Sequence, residues 1–262
     1  MHARWRMAVL ILSAACAGAA TAAAPACTAL SGARTLPLVE LYTSEGCDSC
    51  PPADKWLRES FVPTREGAAP RAAVLAFHVD YWDSLGWPDR FASHTYTERQ
   101  QSLVRAGRGR TSYTPQLFVQ AKDRGLWRDR SAVDALDEAG RAPARANLEL
   151  ASRNEGDSVI VDVRASVDAA KTSDALLRIA LTESGLTSAV TAGENSGTRL
   201  VHGHVVRAFT AGPAFDASGK ANGQVRIALP RERGRDATIV AFVERRSTSE
   251  ILQSLSLPLC GG

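Results

Sequence analysis

The periodicity of apolar residues changes near residue 145, and this change limits the chain to few architectures. Between residues 35 and 141, short apolar runs alternate with amphipathic segments at helical spacing. Strands that alternate with helices are typical of a layered α/β domain, so we expect residues 27–143 to form one. The pattern predicts strands over 38–42, 72–79 and 115–119, and helices over 51–61, 89–104 and 132–142.

The second half of the chain alternates apolar and polar residues with a period of two. Runs of this kind predict strands with one buried face, and the Gly- and Asn-rich segments between them predict turns. We therefore expect residues 144–262 to form a small all-β, sandwich-like domain. Its strands are predicted over 147–150, 159–164, 177–182, 225–229 and 238–243.

The first 26 residues have the composition of a secretory signal peptide. A basic start with Arg4 and Arg6 precedes an apolar run and an alanine-rich tract that ends at Ala26. An uncleaved membrane anchor and a lipoprotein attached at Cys16 are alternatives. However, the apolar run is short for a membrane span, and Ser13 departs from the lipobox pattern. We expect a periplasmic or secreted protein of a Gram-negative bacterium, with no transmembrane segment in the mature chain.

Removal of the signal peptide lowers the formal charge from +3 to +1, because Arg4 and Arg6 leave and 29 basic residues face 28 acidic ones. A chain this close to neutral has no basic domain for nucleic acid. Four cysteines remain, an even number in an exported protein, where thiols can pair.

The strongest chemical signal is the sequence Cys47-Asp48-Ser49-Cys50, which follows a predicted strand and opens a predicted helix. The unpaired N–H groups and the dipole at a helix N-terminus favour a thiolate, and a second cysteine one turn later can close a disulfide. We therefore expect Cys47 to attack as the thiolate and Cys50 to resolve the mixed disulfide. A purely structural disulfide is the alternative.

The other two cysteines, Cys27 and Cys260, lie at the two ends of the mature chain. Four cysteines allow three pairings, and the short loop between Cys47 and Cys50 favours the one in which Cys27 pairs with Cys260. We expect this second disulfide to tie the start of the first domain to the last strand of the β domain.

Longer motifs accompany the cysteine pair, namely LYTSEGCDSCPPAD (41–54), HVDYWDSLGW (78–87), YTPQ (113–116), GENSG (193–197) and HGHVVR (202–207). Together they resemble a family of secreted bacterial thioredoxin-like proteins, catalogued as domain of unknown function 1223. The resemblance implies a thioredoxin-like α/β domain followed by the β domain. It also implies a cis Pro115 beside the cysteine pair, which leaves the Thr114 backbone free to bind an extended substrate peptide.

The segment 78–87 is expected to leave the central strand near the cysteine pair. Trp82 and Trp87 are candidates to wall a groove for a partner peptide, and a small core under a loop is the alternative. His78 and Asp80 are candidates for proton transfer to or from the thiols. A strand histidine with a satisfied hydrogen bond is the simpler interpretation of His78.

Two further groups of titratable residues affect the interpretation, one beside the cysteines and one on a later strand. Asp48 and Glu45 place negative charge beside the cysteines, which opposes thiolate formation and predicts a reducing or isomerising pair. His202 and His204 alternate on one predicted strand, so they are a candidate metal pair. A solvated strand face is the interpretation we favour for them.

The pattern as a whole favours a thiol–disulfide oxidoreductase that acts on a disulfide of a protein or peptide, is recycled by a periplasmic reductant and needs no organic cofactor. One alternative is a Cu(I)-binding metallochaperone in which Cys47, Cys50 and His78 hold the soft ion. Another is a binding module whose cysteine pair is only structural.

Overall fold

The structure is a computed structural model that describes residues 27–62, 69–125 and 127–260. The predicted signal peptide, residues 1–26, lies outside the described residues, and so does Cys16. Of the described residues, 43% lie in strands and 19% in helices. Each helix in these ranges is too short or too polar to cross a membrane.

Three α-helices and fourteen strands form the regular structure of the described ranges. The helices are α1 (Pro51–Ser60), α2 (His94–Ala106) and α3 (Arg130–Arg141). The strands are β1 (Cys27–Leu30), β2 (Leu38–Thr43), β3 (Ala73–His78), β4 (Gln116–Val119), β5 (Lys122–Asp123), β6 (Ala146–Glu155), β7 (Ser158–Val167), β8 (Ala175–Ser184), β9 (Leu186–Ala189), β10 (Arg199–His202), β11 (Val205–Ala211), β12 (Lys220–Ala228), β13 (Arg235–Arg245) and β14 (Ile251–Pro258).

The helix predicted over 89–104 begins later than expected because Asp89 is tied to other segments. Its carboxylate accepts hydrogen bonds from the backbone N–H groups of Glu45 (2.8 Å) and Phe91 (2.9 Å). Arg90 and Phe91 lie in a turn, Ser93 is extended (φ −148°), and α2 starts at the next residue.

Eight strands form one mixed sheet in the order β14-β13-β8-β11-β3-β2-β4-β5. β2 and β3 are parallel, and β4 runs antiparallel to β2. On the other side of β3, β11 joins as a parallel neighbour. Val205 pairs there with Ala76, whose N–H donates to the carbonyl of His204 at 2.8 Å. β8, β13 and β14 continue the sheet with antiparallel pairing.

The predicted fold, an α/β thioredoxin-like domain followed by a small all-β domain, is therefore wrong. The second half of the chain supplies four of the eight strands of the main sheet, and strands outnumber helices throughout the described ranges. The physical reason is the edge of β3. A buried strand with unpaired N–H and C=O groups needs a neighbour, and β11 provides it. Periodicity identifies a strand but not its partner.

A second sheet, in the order β1-β6-β7-β12, is antiparallel throughout. It packs on the part of the main sheet formed by β8, β13 and β14, as expected for two apolar sheet faces. α1 and α3 cover the β2–β3–β4 part of the same face, and α2 covers the opposite face. The core between the two sheets includes Leu150, Val161, Ile179 and Ile239.

β9 and β10 form a hairpin that belongs to neither large sheet. Leu186 pairs with His202, and Ala189 pairs with Arg199. Below, residues 186–202 are called the hairpin and residues 190–198 its tip. His202, the last residue of the hairpin, lies beside His78 at the end of β3 and Glu45 just after β2, so the hairpin reaches the carboxyl ends of β2 and β3.

Candidate functional site

The cysteine motif lies at the carboxyl end of β2, where the chain turns into α1. Cys50 is the N-cap of α1, and a disulfide joins it to Cys47 with a Cα–Cα separation of 5.4 Å. Both cysteines are 0% exposed, whereas Asp48 and Ser49 between them are exposed. The motif therefore presents its central residues to solvent, and its sulfur atoms are covered.

The first turn of α1 has few free N–H donors. Pro51 and Pro52 occupy the first two helical positions and carry no N–H group. The next two N–H groups, those of Ala53 and Asp54, donate to the carbonyl of Cys50 at 2.9 and 3.0 Å. This helix start therefore stabilises a thiolate at the motif less than one with four free donors.

Thr114 and Pro115 lie at the same end of the main sheet, because β4 starts at Gln116 and pairs with β2. The Thr114–Pro115 peptide bond is cis. The indole N–H of Trp82 donates to Thr114 Oγ1 at 2.7 Å. A Cβ atom at Gly46 would lie 3.1 Å from the Cβ of Trp82, so glycine allows Trp82 to approach the motif. Trp82 thus connects the cysteine loop with the cis-proline segment.

Trp87 contacts both the cysteine loop and the hairpin tip. Its indole N–H donates to Glu45 Oε2 at 2.8 Å, and its Cβ would lie 3.2 Å from a Cβ atom at Gly193 in the hairpin tip. Both predicted groove tryptophans are partly exposed, and both use their N–H groups to hold segments of this chain together.

The two predicted proton-transfer residues lie in different surroundings. His78 is buried (1% exposed), and its Nδ1 lies 2.6 Å from Asp89 Oδ2. Asp80 instead faces α2, where Thr97 donates to its carboxylate at 2.6 Å and His94 Nδ1 lies 3.0 Å away. The structure therefore places His78 with the buried acids beside the motif and Asp80 with the surface of α2.

Five titratable side chains form a buried cluster beside the motif. Each is less than a tenth exposed, and they are Glu45, Asp54, His78, Asp89 and His202. His202 Nε2 lies 3.1 Å from Glu45 Oε1, and His202 Nδ1 lies 3.7 Å from Asp54 Oδ2. The rings of His78 and His202 have centroids 5.1 Å apart. The cluster connects the cysteine loop, α1, β3 and the hairpin.

The carboxylates in this cluster determine the charge of His202. Burial alone lowers the pKa of His202, but Asp54 and Glu45 outweigh burial and raise the pKa to about 9. Burial alone raises the pKa of Glu45, and the hydrogen bond with His202 brings that pKa below its ordinary value. At neutral pH, His202 and Glu45 therefore form an ion pair.

The expectation that His202 and His204 share a solvated strand face is wrong. His202 ends β10 and is 2% exposed. His204 has a φ of +57°, a left-handed conformation that turns the chain between β10 and β11. The predicted strand is thus interrupted between the two residues. Burial lowers the pKa of His204 to about 4, opposite in direction to the shift at His202.

The hairpin tip contacts the cysteine loop directly. The side-chain amide of Asn195 donates to the carbonyls of Glu45 (2.8 Å) and Cys47 (2.9 Å). The N–H of Asp48 donates to Glu194 Oε2 at 3.1 Å. Sequence reasoning did not assign Glu194 and Asn195 to the site, although the GENSG motif (193–197) that contains them was a signal of something specific.

The other two cysteines, Cys27 at the start of β1 and Cys260 after the end of β14, are joined by a second disulfide with a Cα–Cα separation of 5.8 Å. Cys27 is partly exposed and Cys260 is exposed. β1 pairs with β6 of the second sheet, so this disulfide ties the second sheet to the last strand of the main sheet.

The copper alternative uses His78 as a third ligand beside the two cysteines. Within residues 27–62, 69–125 and 127–260, no three His, Cys, Asp or Glu side chains are arranged to hold a metal ion. The predicted third ligand, His78, directs Nδ1 at Asp89.

Residues 38–244 match the protein family described as "Protein of unknown function (DUF1223)". The chain belongs to the DUF1223 family. The match covers the cysteine motif, the cis-proline segment and the hairpin. It identifies this family and does not extend to the thioredoxin-like superfamily that the motifs predict.

Two solved structures resemble this DUF1223 protein. Protein AGR_C_4864 from Agrobacterium tumefaciens is 25% identical, with a TM-score of 0.60 over 87% of this chain and 96% of that one. HBP35 of Porphyromonas gingivalis is 16% identical, with a TM-score of 0.63 over 88% of this chain and 77% of that one. The second likeness concerns the fold alone. A comparison with curated proteins finds no match.

Proposed function

We propose that this DUF1223 protein is a periplasmic or secreted thiol–disulfide oxidoreductase that acts on protein or peptide disulfides through Cys47 and Cys50. The observation that carries the proposal is the position of the pair. It lies at a strand-to-helix turn, is closed by a disulfide, and shares one end of the sheet with the cis Thr114–Pro115 bond. A disulfide that served stability alone would not need this placement beside the Thr114–Pro115 segment.

The proposed reaction starts from the reduced pair. The Cys47 thiolate attacks one sulfur of the partner disulfide, and the other partner sulfur leaves as a thiolate. Cys50 then loses its proton and attacks the Cys47 sulfur, which releases the partner as a dithiol. Two electrons pass to the partner, Cys47 and Cys50 become a disulfide, and an external dithiol reductant must reduce them again. His78, in the buried cluster, is the proposed route for the proton.

The direction of the reaction is proposed to be reducing or isomerising. Pro51 and Pro52 remove two N–H donors from the start of α1. Glu194 adds a carboxylate 3.1 Å from the N–H of Asp48, which lies between the two cysteines. Both features disfavour a thiolate at Cys47, and a less stable thiolate gives a more negative reduction potential. A measured potential near about −120 mV, that of a strong oxidant, would contradict this direction.

Partner peptides are proposed to bind through the Thr114 backbone, beside Trp82 and Trp87. Extended peptides add to exposed backbone of this kind by main-chain hydrogen bonds. Because the two indole N–H groups bond to Thr114 and Glu45, the rings are held in place and offer their apolar faces.

The test is mixed-disulfide trapping with Cys50→Ser in the periplasm of a Gram-negative host. Without the resolving thiol, Cys47 adducts should accumulate and appear on non-reducing gels as bands that reductant removes. The control is the double variant Cys47→Ser/Cys50→Ser, which keeps Cys27 and Cys260. Adducts present in both variants do not involve Cys47. If the two variants give the same bands, the oxidoreductase proposal fails and the pair is structural.

A further inference from the structure

The cysteine pair is covered although the residues between the cysteines are exposed. Cys47 and Cys50 are both 0% exposed, and thiol–disulfide exchange requires a direct approach of one sulfur to another. The tip of the hairpin lies on the loop that carries them, since Asn195 bonds to two of its carbonyls and Glu194 to one of its N–H groups. In this arrangement, the loop is already occupied by a segment of its own chain.

The arms of the hairpin are fixed by contacts outside the cysteine loop. Arg58 of α1 donates to the carbonyl of Val201 at 2.6 Å, and Arg90 donates to the carbonyl of Thr187 at 2.9 Å. His202 is held in the buried ion pair with Glu45 at 3.1 Å. These contacts anchor the base of the hairpin and leave its tip as the part that rests on Cys47.

The tip is a self-contained turn. Val190 and Gly197 each donate a backbone N–H to the other half of the tip, at 3.0 and 2.9 Å, and Thr198 donates to Asn195 at 3.1 Å. These internal bonds can persist when the tip lifts. Lifting it then breaks the three hydrogen bonds from Glu194 and Asn195 to the cysteine loop, together with the packing of Gly193 on Trp87.

We propose that the tip is an autoinhibitory cover over the Cys47–Cys50 pair, and that a partner reaches the pair only when the tip has lifted. This inference rests on the proposed function for its purpose, but the cover itself is a property of the disulfide and can be measured without a partner. Asn195 is its main latch, because one buried side chain holds the loop on both sides of Gly46.

The test is the rate at which dithiothreitol reduces each disulfide of the purified, oxidised protein. Samples are quenched in acid, labelled with maleimide, and the Cys47–Cys50 and Cys27–Cys260 peptides are quantified by mass spectrometry. Asn195→Ala removes both latch bonds, so the Cys47–Cys50 rate should rise at least about tenfold. The Cys27–Cys260 rate should stay unchanged in the same sample. The matched control is Ser196→Ala, because Ser196 lies in the tip and its side-chain hydroxyl donates to the carbonyl of Thr191 within the tip.

Equal Cys47–Cys50 rates in the wild type, Asn195→Ala and Ser196→Ala would overturn the cover. If circular dichroism shows that Asn195→Ala does not fold, Glu194→Ala replaces it, because Glu194 is exposed and accepts one bond. A rise of about threefold is expected there, and no rise would overturn the proposal. The experiments can refute the proposed cover and the proposed function independently of each other. Faster reduction without mixed disulfides refutes the oxidoreductase, whereas mixed disulfides with unchanged reduction rates refute the cover.

Discussion

The two disulfide regions of this DUF1223 protein have similar bridge spans and opposite surroundings. Cys47–Cys50 and Cys27–Cys260 have Cα separations of 5.4 and 5.8 Å, but they close loops with sequence separations of 3 and 233 residues. The pair proposed to react is fully buried, whereas the pair proposed to be structural is partly exposed at Cys27 and exposed at Cys260.

The two pairs differ in their surroundings as well as in their exposure, and the proposed assignment rests on the surroundings. Cys27 opens β1 and Cys260 follows the end of β14, so this disulfide joins two strand ends. Cys47 and Cys50 lie at the start of α1, and the hairpin tip bonds to the loop that carries them. In the proposed assignment, the structural disulfide is the more exposed one, and the hairpin tip covers the disulfide that exchanges with a partner.

The largest effect is expected on disulfide-reducing activity, and it tests which of the two cysteine pairs reacts. Cys47→Ser should abolish the dithiol-dependent reduction of a disulfide-linked peptide, because the attacking sulfur is gone. Cys27→Ser/Cys260→Ser should retain the wild-type rate at a temperature where it is folded. A peptide with a quenched fluorophore pair provides the readout. Activity that survives Cys47→Ser, or that depends on Cys27 and Cys260, would contradict the assignment of Cys47 and Cys50 as the reacting pair.

The next expected effect is on the free energy of unfolding. Here the loss of Cys27–Cys260 should cost more than the loss of Cys47–Cys50. In the chain-entropy account, opening the long Cys27–Cys260 loop costs about 5 kcal/mol of unfolding free energy, and opening the short Cys47–Cys50 loop costs about 2 kcal/mol. Urea unfolding of Cys27→Ser/Cys260→Ser and Cys47→Ser/Cys50→Ser measures both. A larger loss of unfolding free energy in Cys47→Ser/Cys50→Ser than in Cys27→Ser/Cys260→Ser would contradict this order.

Much of the structure around Cys47 and Cys50 can be predicted from the sequence because its pattern is local. The strand before Cys47, the helix after Cys50 and the strand after Pro115 all lie close to their expected ranges, since apolar periodicity and proline placement act over a few residues. The separation of Cys27 and Cys260 from the motif likewise follows from spacing alone.

The rest depends on contacts between distant segments, which no local pattern encodes. β11 pairs with β3 across a chain separation of more than a hundred residues, so the separate β domain predicted from periodicity is wrong. Asn195 and His202 reach Glu45 from 150 and 157 residues away. A histidine in an alternating segment looks the same in sequence whether its face meets water or, like His202, a buried carboxylate.

The unfolding free energy is also expected to depend on pH, through His202 in the buried cluster beside Cys47 and Cys50. The pKa of His202 is raised from 6.5 to about 9 in the folded protein, so its contribution to stability is complete below pH 6.5 and is lost as the pH rises towards 9. The loss is roughly 2–3 kcal/mol. Unfolding free energies at pH 6.5 and 9 should therefore differ in the wild type and converge in His202→Gln.

The matched control for this titration is His94→Gln, because His94 is exposed on α2. It should keep the wild-type alkaline slope. His204 acts in the other direction. Its pKa is lowered to about 4, so its contribution is lost as the pH falls from 6.5 towards 4. An alkaline slope that persists in His202→Gln would show that the ion pair with Glu45 does not hold the hairpin base.

The smallest expected effect concerns the reduction potential of the Cys47–Cys50 pair. The double variant Asp48→Asn/Glu194→Gln removes two negative charges near Cys47, and each new side chain keeps an oxygen acceptor, so the bond from the Asp48 N–H can persist. Less negative charge favours the thiolate and hence the reduced form. The potential should become less negative by about 10–20 mV, measured by equilibration with glutathione.

Asp157→Asn, an exposed change in the β6–β7 turn, should leave the potential unchanged. A shift to more negative values would mean that the acids stabilise the reduced pair, and the proposed reducing direction would then lose its electrostatic basis.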